Sequence, residues 1–354
     1  MFSVSAQKKS YRLIVGTYTN TGSSKGIYSY DINLKNGVFA KLSVEEGLIN
    51  PSFLAFSPSY KFVYTVNENG KASKVTALSF DIKSGKFTRL NEVDAQGADP
   101  CYILATKNHV ITANYSGGSI SVFGRNADGS ITNALQVIQH TGSSVNAERQ
   151  GVPHVHQVLL TQDKKFVIAN DLGTDKVTVY QYNSNATKDV LVPFDSITVK
   201  LGSGPRHATF SADGKLLYIL HEIDGTLSVL RMKNGRLSML QETNIVKKEN
   251  VVIRAAEIFF SPDYHFIYTT DRGTDNVISC FSVGTDGKLT FVQQFPTDGV
   301  EPRNFAITPD GEYVLVANQL SDKVVVYSRN AKTGMLTDTG ERMHVGQPVC
   351  LKFY

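Results

Sequence analysis

Side chains able to do acid–base or anion chemistry recur at two kinds of position in this sequence. One position follows a proline or its equivalent, and holds Ser52, Cys101, His154 or His156, Arg206 with His207, Glu257, Arg303 with Asn304, and Val349. The other follows an apolar segment, and holds Glu68, Asn114, Tyr115, Asp171, His221, Glu222, Asp271, Arg272, Asn318 and Gln319. Histidine exchanges protons near neutral pH and arginine stabilises negative charge. Brought together, the two sets predict a binding or catalytic pocket.

The two histidines after Pro153 are the candidates for a general base. His154 and His156 lie two apart on one predicted strand, so we expect them to share a side and face the same space. No carboxylate in ligand spacing accompanies them, which disfavours a metal pair. We therefore expect no metal and no cofactor.

Two neighbouring groups have structural interpretations. His207 is expected to point away from Arg206 and to be a packed, hydrogen-bonded histidine. Cys101 is expected to be a small buried hydrophobe, because nothing in its sequence context lowers the thiol pKa.

An insertion at 141–152, carrying Glu148, Arg149 and Gln150, makes one interval longer than the others. Long loops in compact folds are often functional, and this one should overhang the pocket. Arg206 and Arg303 occupy matching positions two repeats apart, and buried charges need partners or an anionic ligand. The alternative is that all these polar residues only solvate loops and a wet channel.

The elements that position these side chains come from a repeat of about fifty residues. Seven apolar segments end at equivalent positions 16, 67, 114, 170, 221, 271 and 318. Each copy predicts a short strand usually opened by proline, the apolar strand, an alternating third strand, and a fourth strand after a turn. Glycine turns before the fourth strand occur at Asn36-Gly37, Ser84-Gly85, Asp128-Gly129, Asn234-Gly235, Asp286-Gly287 and Thr333-Gly334. This period with four strands is typical of a β-propeller.

Strand direction alternates within a blade, so the first strand begins at the edge where the second strand ends. Both sets of polar residues should therefore open onto one face of the ring. The chain starts with a second strand at Tyr11, and Pro348 to Phe353 supplies the missing first strand. We predict an all-β, seven-bladed propeller with four antiparallel strands per blade, closed by the C-terminal strand joining the N-terminal blade. A tail at 1–10 would precede one domain at 11–354.

Composition excludes several classes of function. The formal net charge is +4 without a basic run, which disfavours nucleic-acid binding. No stretch is long and apolar enough for a membrane span or signal peptide, so we expect no membrane partner and a cytoplasmic location. Three separated cysteines argue against a disulfide framework.

Several motifs together resemble those of the seven-bladed lactonases. They include Gly16-Thr17-Tyr18-Thr19, Pro153-His154-Val155-His156, Gly204-Pro205-Arg206-His207, His221-Glu222 and Asp271-Arg272-Gly273-Thr274-Asp275. The resemblance runs from about Leu13 to Phe353. The family includes a cycloisomerase-type 6-phosphogluconolactonase and the fungal 3-carboxy-cis,cis-muconate lactonizing enzyme.

The resemblance implies hydrolysis of 6-phospho-D-glucono-1,5-lactone to 6-phospho-D-gluconate, a step of the oxidative pentose phosphate pathway, without a metal. It implies catalytic residues at His154 or His156, Arg206, Glu222 and Arg272. Our own hypothesis for these residues is that the histidine takes a proton from water and Arg206 stabilises the oxyanion, while Glu222 orients an arginine or protonates the leaving oxygen. Arg272, with Arg303 as a further candidate, would hold the phosphate.

Further substrate contacts are expected from Arg303, Glu68, Asn114, Tyr115, Arg149 and Gln319. The expected partner is a small sugar-phosphate lactone, and the protein is expected to be a monomer or a weak homo-oligomer. Carboxy-muconate cycloisomerisation would use nearly the same residues and is the first alternative. A non-catalytic propeller that binds a partner is the second.

Overall fold

The computed structural model describes residues 10–245 and 251–354, which form seven four-stranded antiparallel sheets. In chain order the first four blades contain β1 (Tyr11–Thr17), β2 (Gly26–Asn33) and β3 (Val38–Glu46); β4 (Leu54–Phe56), β5 (Phe62–Asn67), β6 (Lys74–Asp81) and β7 (Lys86–Asp94); β8 (Pro100–Ala105), β9 (His109–Asn114), β10 (Ser119–Arg125) and β11 (Ile131–Gln139); β12 (Val155–Leu160), β13 (Phe166–Asp171), β14 (Lys176–Tyr182) and β15 (Leu191–Thr198).

The last three blades contain β16 (Pro205–Phe210), β17 (Leu216–His221), β18 (Thr226–Lys233) and β19 (Arg236–Asn244); β20 (Ala255–Phe260), β21 (Phe266–Asp271), β22 (Val277–Val283) and β23 (Leu289–Pro296); β24 (Pro302–Ile307), β25 (Tyr313–Asn318), β26 (Lys323–Arg329) and β27 (Leu336–His344). A 3-10 turn at Gln319–Ser321 follows β25, and β28 (Pro348–Phe353) ends the series. The predicted propeller is confirmed.

Ring closure also follows the prediction. Strand β28 pairs antiparallel with β1, with Leu13 opposite Phe353 and Gly16 opposite Cys350. The first blade therefore has the order β28-β1-β2-β3, so that β1 is paired on both sides and its inner edge is not left open. Of the predicted tail, residues 1–9 lie outside the described residues, and the division into a tail and one domain remains a prediction.

The cores lie between neighbouring sheets, because the second and third strands of each blade are apolar on both faces. Three tyrosines of second strands are fully buried and tie one blade to a glycine turn of the next: Tyr64 to the Gly129 carbonyl at 2.9 Å, Tyr218 to Gly287 at 2.8 Å and Tyr268 to Gly334 at 2.6 Å. These glycines have φ between +73° and +91°, which non-glycine residues rarely adopt. The glycine turns thus shape hairpins and offer the carbonyls that join blades.

One inner strand is shorter than predicted. The inner strand of the second blade is only Leu54–Phe56, whereas the repeat predicts a segment that begins at Pro51.

Within the described residues, no helix has the length and apolar character needed to cross a membrane.

Candidate active site

A β-bulge after the first residue of the inner strand sets the direction of the channel side chains. In the described part of the chain, six inner strands carry it, and the residues left out of the ladder are Cys101, His156, Arg206, Ala256 with Glu257, Arg303 and Val349. A bulge re-aims a side chain and bends its strand. One residue from each of these bulges, together with Ser52, which precedes the remaining inner strand β4, lines a cavity of about 10 Å³ in the channel. We call it the inner cavity.

A second cavity of about 190 Å³ adjoins the inner cavity, and we call it the mouth cavity. It is lined by Glu68, Cys101, Tyr115, Arg149, His156, Glu222, Arg254, Arg272 and Arg303. Four arginines face two glutamates in this lining, so the cavity carries an excess of positive charge. Such a cleft favours an anionic ligand.

Glu222 is the centre of the charged cluster. It accepts hydrogen bonds from Arg149 at 2.6 Å, from Arg206 Nε at 2.8 Å and from Arg272 Nη2 at 3.0 Å. Burial opposes ionisation, but the three guanidinium groups, Arg272 first, hold the pKa of Glu222 well below its usual range. Glu222 therefore remains a carboxylate that fixes arginines. Of the two roles considered for it, this environment favours orientation over proton delivery.

Arg149 reaches this cluster from the 141–152 insertion, as expected of a loop that overhangs the pocket. The insertion is held down by Gln150, which is fully buried and donates to the Leu172 carbonyl at 2.8 Å. Arg149 also contacts the Tyr115 hydroxyl at 3.3 Å.

Arg254 and Glu301 belong to the charged cluster but were not predicted from the sequence. Glu301 accepts hydrogen bonds from Arg272 Nη1 at 2.8 Å and from Arg254 at 3.2 Å. Burial lowers the pKa of Arg272 to about 10, despite the two carboxylates that it contacts. It remains protonated at neutral pH.

A repeat signal could have found Arg254 and Glu301. Each immediately precedes the first residue of an inner strand, Ala255 or Pro302. Glu301 has φ +62°, and Asn50, Asp99 and Gln347 at the same repeat position also have positive φ. This position at the start of the inner strand is the signal, although Arg254 does not share the positive φ and only Arg254 of these residues lines the mouth cavity.

Glu68, on the opposite wall, has weaker partners. It accepts hydrogen bonds from the Tyr18 hydroxyl at 3.0 Å and 3.1 Å and from Ser52. Burial raises the pKa of Glu68, and the nearby charge of Arg303 only partly offsets this. Arg303 donates no hydrogen bond to any described residue, and its guanidinium lies 5.4 Å from the centre of the Tyr18 ring. It is thus free to bind a ligand.

The two histidines have different surroundings, and the expectation that they share a side is wrong because the bulge at His156 breaks the strand alternation. His156 is 4% exposed and lines both cavities. His154 lies outside both linings, where it stacks on Tyr115 at 4.5 Å and contacts the Tyr115 carbonyl through Nδ1 at 3.0 Å. Burial, then the charge of Arg206, lowers the pKa of His156 well below its usual value. It is a neutral imidazole at neutral pH.

Other predicted residues divide between the cavities and the framework. Arg206 lines only the inner cavity, where it also donates to the Ala256 carbonyl. Asn114 is buried in its blade and donates to the Ser119 and Ser121 hydroxyls at 3.0 Å and 2.9 Å. Gln319 lies in the 3-10 turn, outside both linings.

His207 is hydrogen-bonded as expected, through Nδ1 to Glu257 at 2.7 Å. The expectation that it points away from Arg206 is wrong. Both side chains line the inner cavity, because the bulge at Arg206 removes the strict alternation of the strand.

Cys101 lines both cavities, and burial raises the pKa of its thiol. A neutral thiol is a poor nucleophile, in agreement with the expectation of a small buried residue. Among residues 10–245 and 251–354, no three His, Cys, Asp or Glu side chains are grouped so that they could hold a metal ion.

Similar proteins share this architecture over their full length. A 6-phosphogluconolactonase of Formosa agariphila is 33% identical over 97% of this chain and 99% of its own. A crystal structure from Bacteroides fragilis, provisionally named a 6-phosphogluconolactonase, is 40% identical with a TM-score of 0.94 and covers 99% of both chains. The periplasmic gluconolactonase of Pseudomonas aeruginosa is 35% identical with a TM-score of 0.93, covering 98% of this chain and 99% of the other.

The family described as lactonase, 7-bladed beta-propeller matches residues 12–353. This match spans all 28 strands apart from the first residue of β1. The protein is therefore a member of the seven-bladed β-propeller lactonase family.

Proposed function

We propose that this protein is a 6-phosphogluconolactonase, which hydrolyses 6-phospho-D-glucono-1,5-lactone to 6-phospho-D-gluconate. The observation that carries the proposal is the mouth cavity, where four arginines and two glutamates surround a buried neutral histidine. A phosphorylated lactone is an anion with a carbonyl open to attack by water, and this lining suits both features. The names of the relatives from Formosa agariphila and Bacillus subtilis support the same activity.

His156 is the proposed general base. In its neutral form it can take a proton from a water molecule as that water attacks the lactone carbonyl carbon. The carbon–ring-oxygen bond then breaks, and the imidazolium returns its proton to the departing oxygen. The ring opens to a hydroxy acid, and the histidine regains its starting form.

Arg303 is the proposed oxyanion partner. When water adds, the carbonyl oxygen becomes negatively charged, and a nearby guanidinium stabilises it. Arg303 lines both cavities and is not engaged by a carboxylate through a hydrogen bond in the described residues. Arg206 is held by Glu222 and the Ala256 carbonyl below the mouth cavity. Its proposed part is therefore to orient Glu222.

The phosphate is proposed to bind at the rim, between Arg149 and Arg254. Their side chains are 33% and 44% exposed, whereas that of Arg272 is 4% exposed and bonded to two glutamates. Arginine binds phosphate through parallel hydrogen bonds. Glu68 and Tyr115 would contact sugar hydroxyls in the space between rim and floor.

The proposed reaction requires no metal, and we propose metal independence, action in the oxidative pentose phosphate pathway and a cytoplasmic location. The three cysteines are free and buried, in agreement with a reducing compartment. Cell fractionation would test the location, because the Pseudomonas aeruginosa relative is named as periplasmic.

Glucono-1,5-lactone is a second candidate substrate, favoured by the likeness to that gluconolactonase. Muconate cycloisomerisation and a purely binding role gain no support from the named relatives.

The decisive assay follows freshly made 6-phosphogluconolactone through coupled 6-phosphogluconate dehydrogenase, with a buffer blank for spontaneous hydrolysis. Glucono-1,5-lactone is measured in parallel from acid release, and both assays are repeated with EDTA. We expect catalysis with the phosphorylated lactone, a kcat/KM at least about tenfold lower without phosphate, and no effect of EDTA. A rate equal to the blank with the phosphorylated lactone would refute the proposal.

A further inference from the structure

The inner cavity contains two imidazole nitrogens that are buried and unpaired. Nδ1 of His156 and Nε2 of His207 have no hydrogen-bond partner among the described residues. The two rings lie edge to face with their centres 4.9 Å apart, and both line the inner cavity. Buried polar atoms in native proteins nearly always have a partner, so both atoms require one.

The proton positions on His207 follow from its other nitrogen. Nδ1 lies 2.7 Å from Oε1 of Glu257, which also accepts from the Ile258 amide at 3.0 Å, while Oε2 accepts from Asn304 at 2.5 Å. Burial opposes ionisation of Glu257, but His207 and its other neighbours lower the pKa of this carboxyl, and burial lowers the pKa of His207. A carboxylate can only accept, so His207 Nδ1 carries its hydrogen and Nε2 presents a lone pair.

His156 presents the complementary requirement. For Nε2 to accept a proton from water, the hydrogen of the neutral ring must be on Nδ1. That N–H then needs an acceptor inside the cavity. Arg206 and Arg303 are donors only, whereas the lone pair of His207 is an acceptor without a donor.

The inner cavity has about the volume that one water molecule requires. A water there can accept from His156 Nδ1 and donate to His207 Nε2. Ser52 and Glu68 line the same cavity and provide polar partners for its second hydrogen.

We propose that Glu257 and His207, acting through one buried water, are positioning residues that fix His156 in the Nδ1–H tautomer and so leave its Nε2 free as the base. The inference builds on the proposed lactone hydrolysis, to which it adds the residues that prepare the base. A wrong tautomer of a catalytic histidine can cost several orders of magnitude in rate.

The direct test is nitrogen NMR of the histidine rings in substrate-free, ¹⁵N-histidine-labelled full-length protein, assigned through His156→Ala. We expect His156 as the Nδ1–H tautomer in the wild type, and a shift toward Nε2–H in His207→Phe. His221 is the internal reference, because its two nitrogens are bonded to Ser203 and Ser228, each at 2.9 Å, and its signals should stay unchanged. An Nε2–H tautomer of His156 in the wild type would overturn the proposal whether or not the protein hydrolyses lactones.

Activity provides the second readout. We expect His207→Phe to lower kcat by at least about tenfold with little change in KM, and His207→Gln, which keeps an acceptor and a donor, to restore much of it. Because His207→Phe leaves the Glu257 charge unpaired, the double variant His207→Phe/Glu257→Gln is measured alongside it, with circular dichroism as the folding control. A folded double variant with wild-type kcat and an unchanged His156 tautomer would also refute the proposal.

Discussion

The two walls of the mouth cavity each carry a glutamate, buried for Glu222 and partly buried for Glu68, and the two carboxylates behave in opposite ways. Glu222 has three arginine partners and a lowered pKa, whereas Glu68 has two hydroxyl partners and a raised pKa. The same side chain is thus a permanent anion on one wall and a titratable group on the other. The number and charge of the partners, more than burial, decide whether the pKa of the glutamate is lowered or raised.

The largest expected effect comes from removing the permanent anion. Glu222→Gln would leave Arg206 and Arg272 buried and facing each other without their shared carboxylate. Loss of one member of a buried ion cluster typically costs about 3–5 kcal/mol. We predict this loss of unfolding free energy in urea titrations, and a kcat/KM lower by at least about a hundredfold. A change below about 1 kcal/mol would show that the arginines do not depend on Glu222.

The next effect concerns the two histidines, one inside the cavity and one outside. We predict that His156→Ala lowers kcat by about 10²–10⁴, the usual contribution of a general base. The matched variant His154→Ala should change it less than tenfold, since His154 stacks on Tyr115 outside the lining. Steady-state kinetics on both variants shows which histidine is the general base. Equal, small losses would remove the general-base mechanism.

A smaller effect should appear at the rim, where charge is exposed. Arg254→Gln removes one of the two proposed phosphate contacts, so we predict a KM for 6-phosphogluconolactone raised about tenfold with kcat nearly unchanged. Arg89→Gln, at an exposed ion pair with Glu45 on outer strands, is the control and should leave both constants unchanged. If Arg254→Gln lowered kcat instead, the phosphate would have to bind elsewhere.

The raised pKa of Glu68 predicts that this residue contributes less to stability as the pH rises. A carboxyl whose pKa is raised by folding binds protons more tightly in the native state, so stability falls as pH rises from its ordinary pKa of 4.5 through the raised value. For Glu222 the sign is reversed, and its contribution is lost as pH falls. We predict that Glu68→Gln becomes more stable relative to wild type as pH increases above about 4.5. Urea unfolding across pH 4–8 measures it, and a pH-independent difference would contradict it.

The smallest effect is expected at Cys101. Its thiol is buried between the two walls with a raised pKa, so Cys101→Ala should change kcat/KM less than about twofold. A loss above tenfold in a folded variant would give the thiol a chemical role that its environment does not predict.

The repeat made the fold predictable, because strand order and ring closure follow from a pattern that recurs seven times, and the glycine turns recur in six of the seven copies. It also predicted the ring of channel residues from Ser52 to Val349 by position alone. Strict period-two alternation failed at His154 and His207, since a bulge leaves His156 and Arg206 out of their strand ladders, and alternation alone does not predict a bulge. Arg254 and Glu301 were missed because they lie just before their inner strands, outside the positions that the strand pattern singles out, and the ion pairs that join them to the site are long-range contacts.

The bulges have a consequence for how such a site could diversify. A bulged residue takes no part in the ladder register, so Cys101, His156, Arg206 and Arg303 can be exchanged without altering strand alignment. The loss of stability caused by a substitution there depends on the neighbouring side chains in the channel, and the strand pairing of the blade is unchanged. Cys101 is the one of the four to which we assign no catalytic role or ion pair, so a saturation library there should yield mostly folded proteins in which altered substrate specificity can be selected, whereas Arg206 is tied to Glu222.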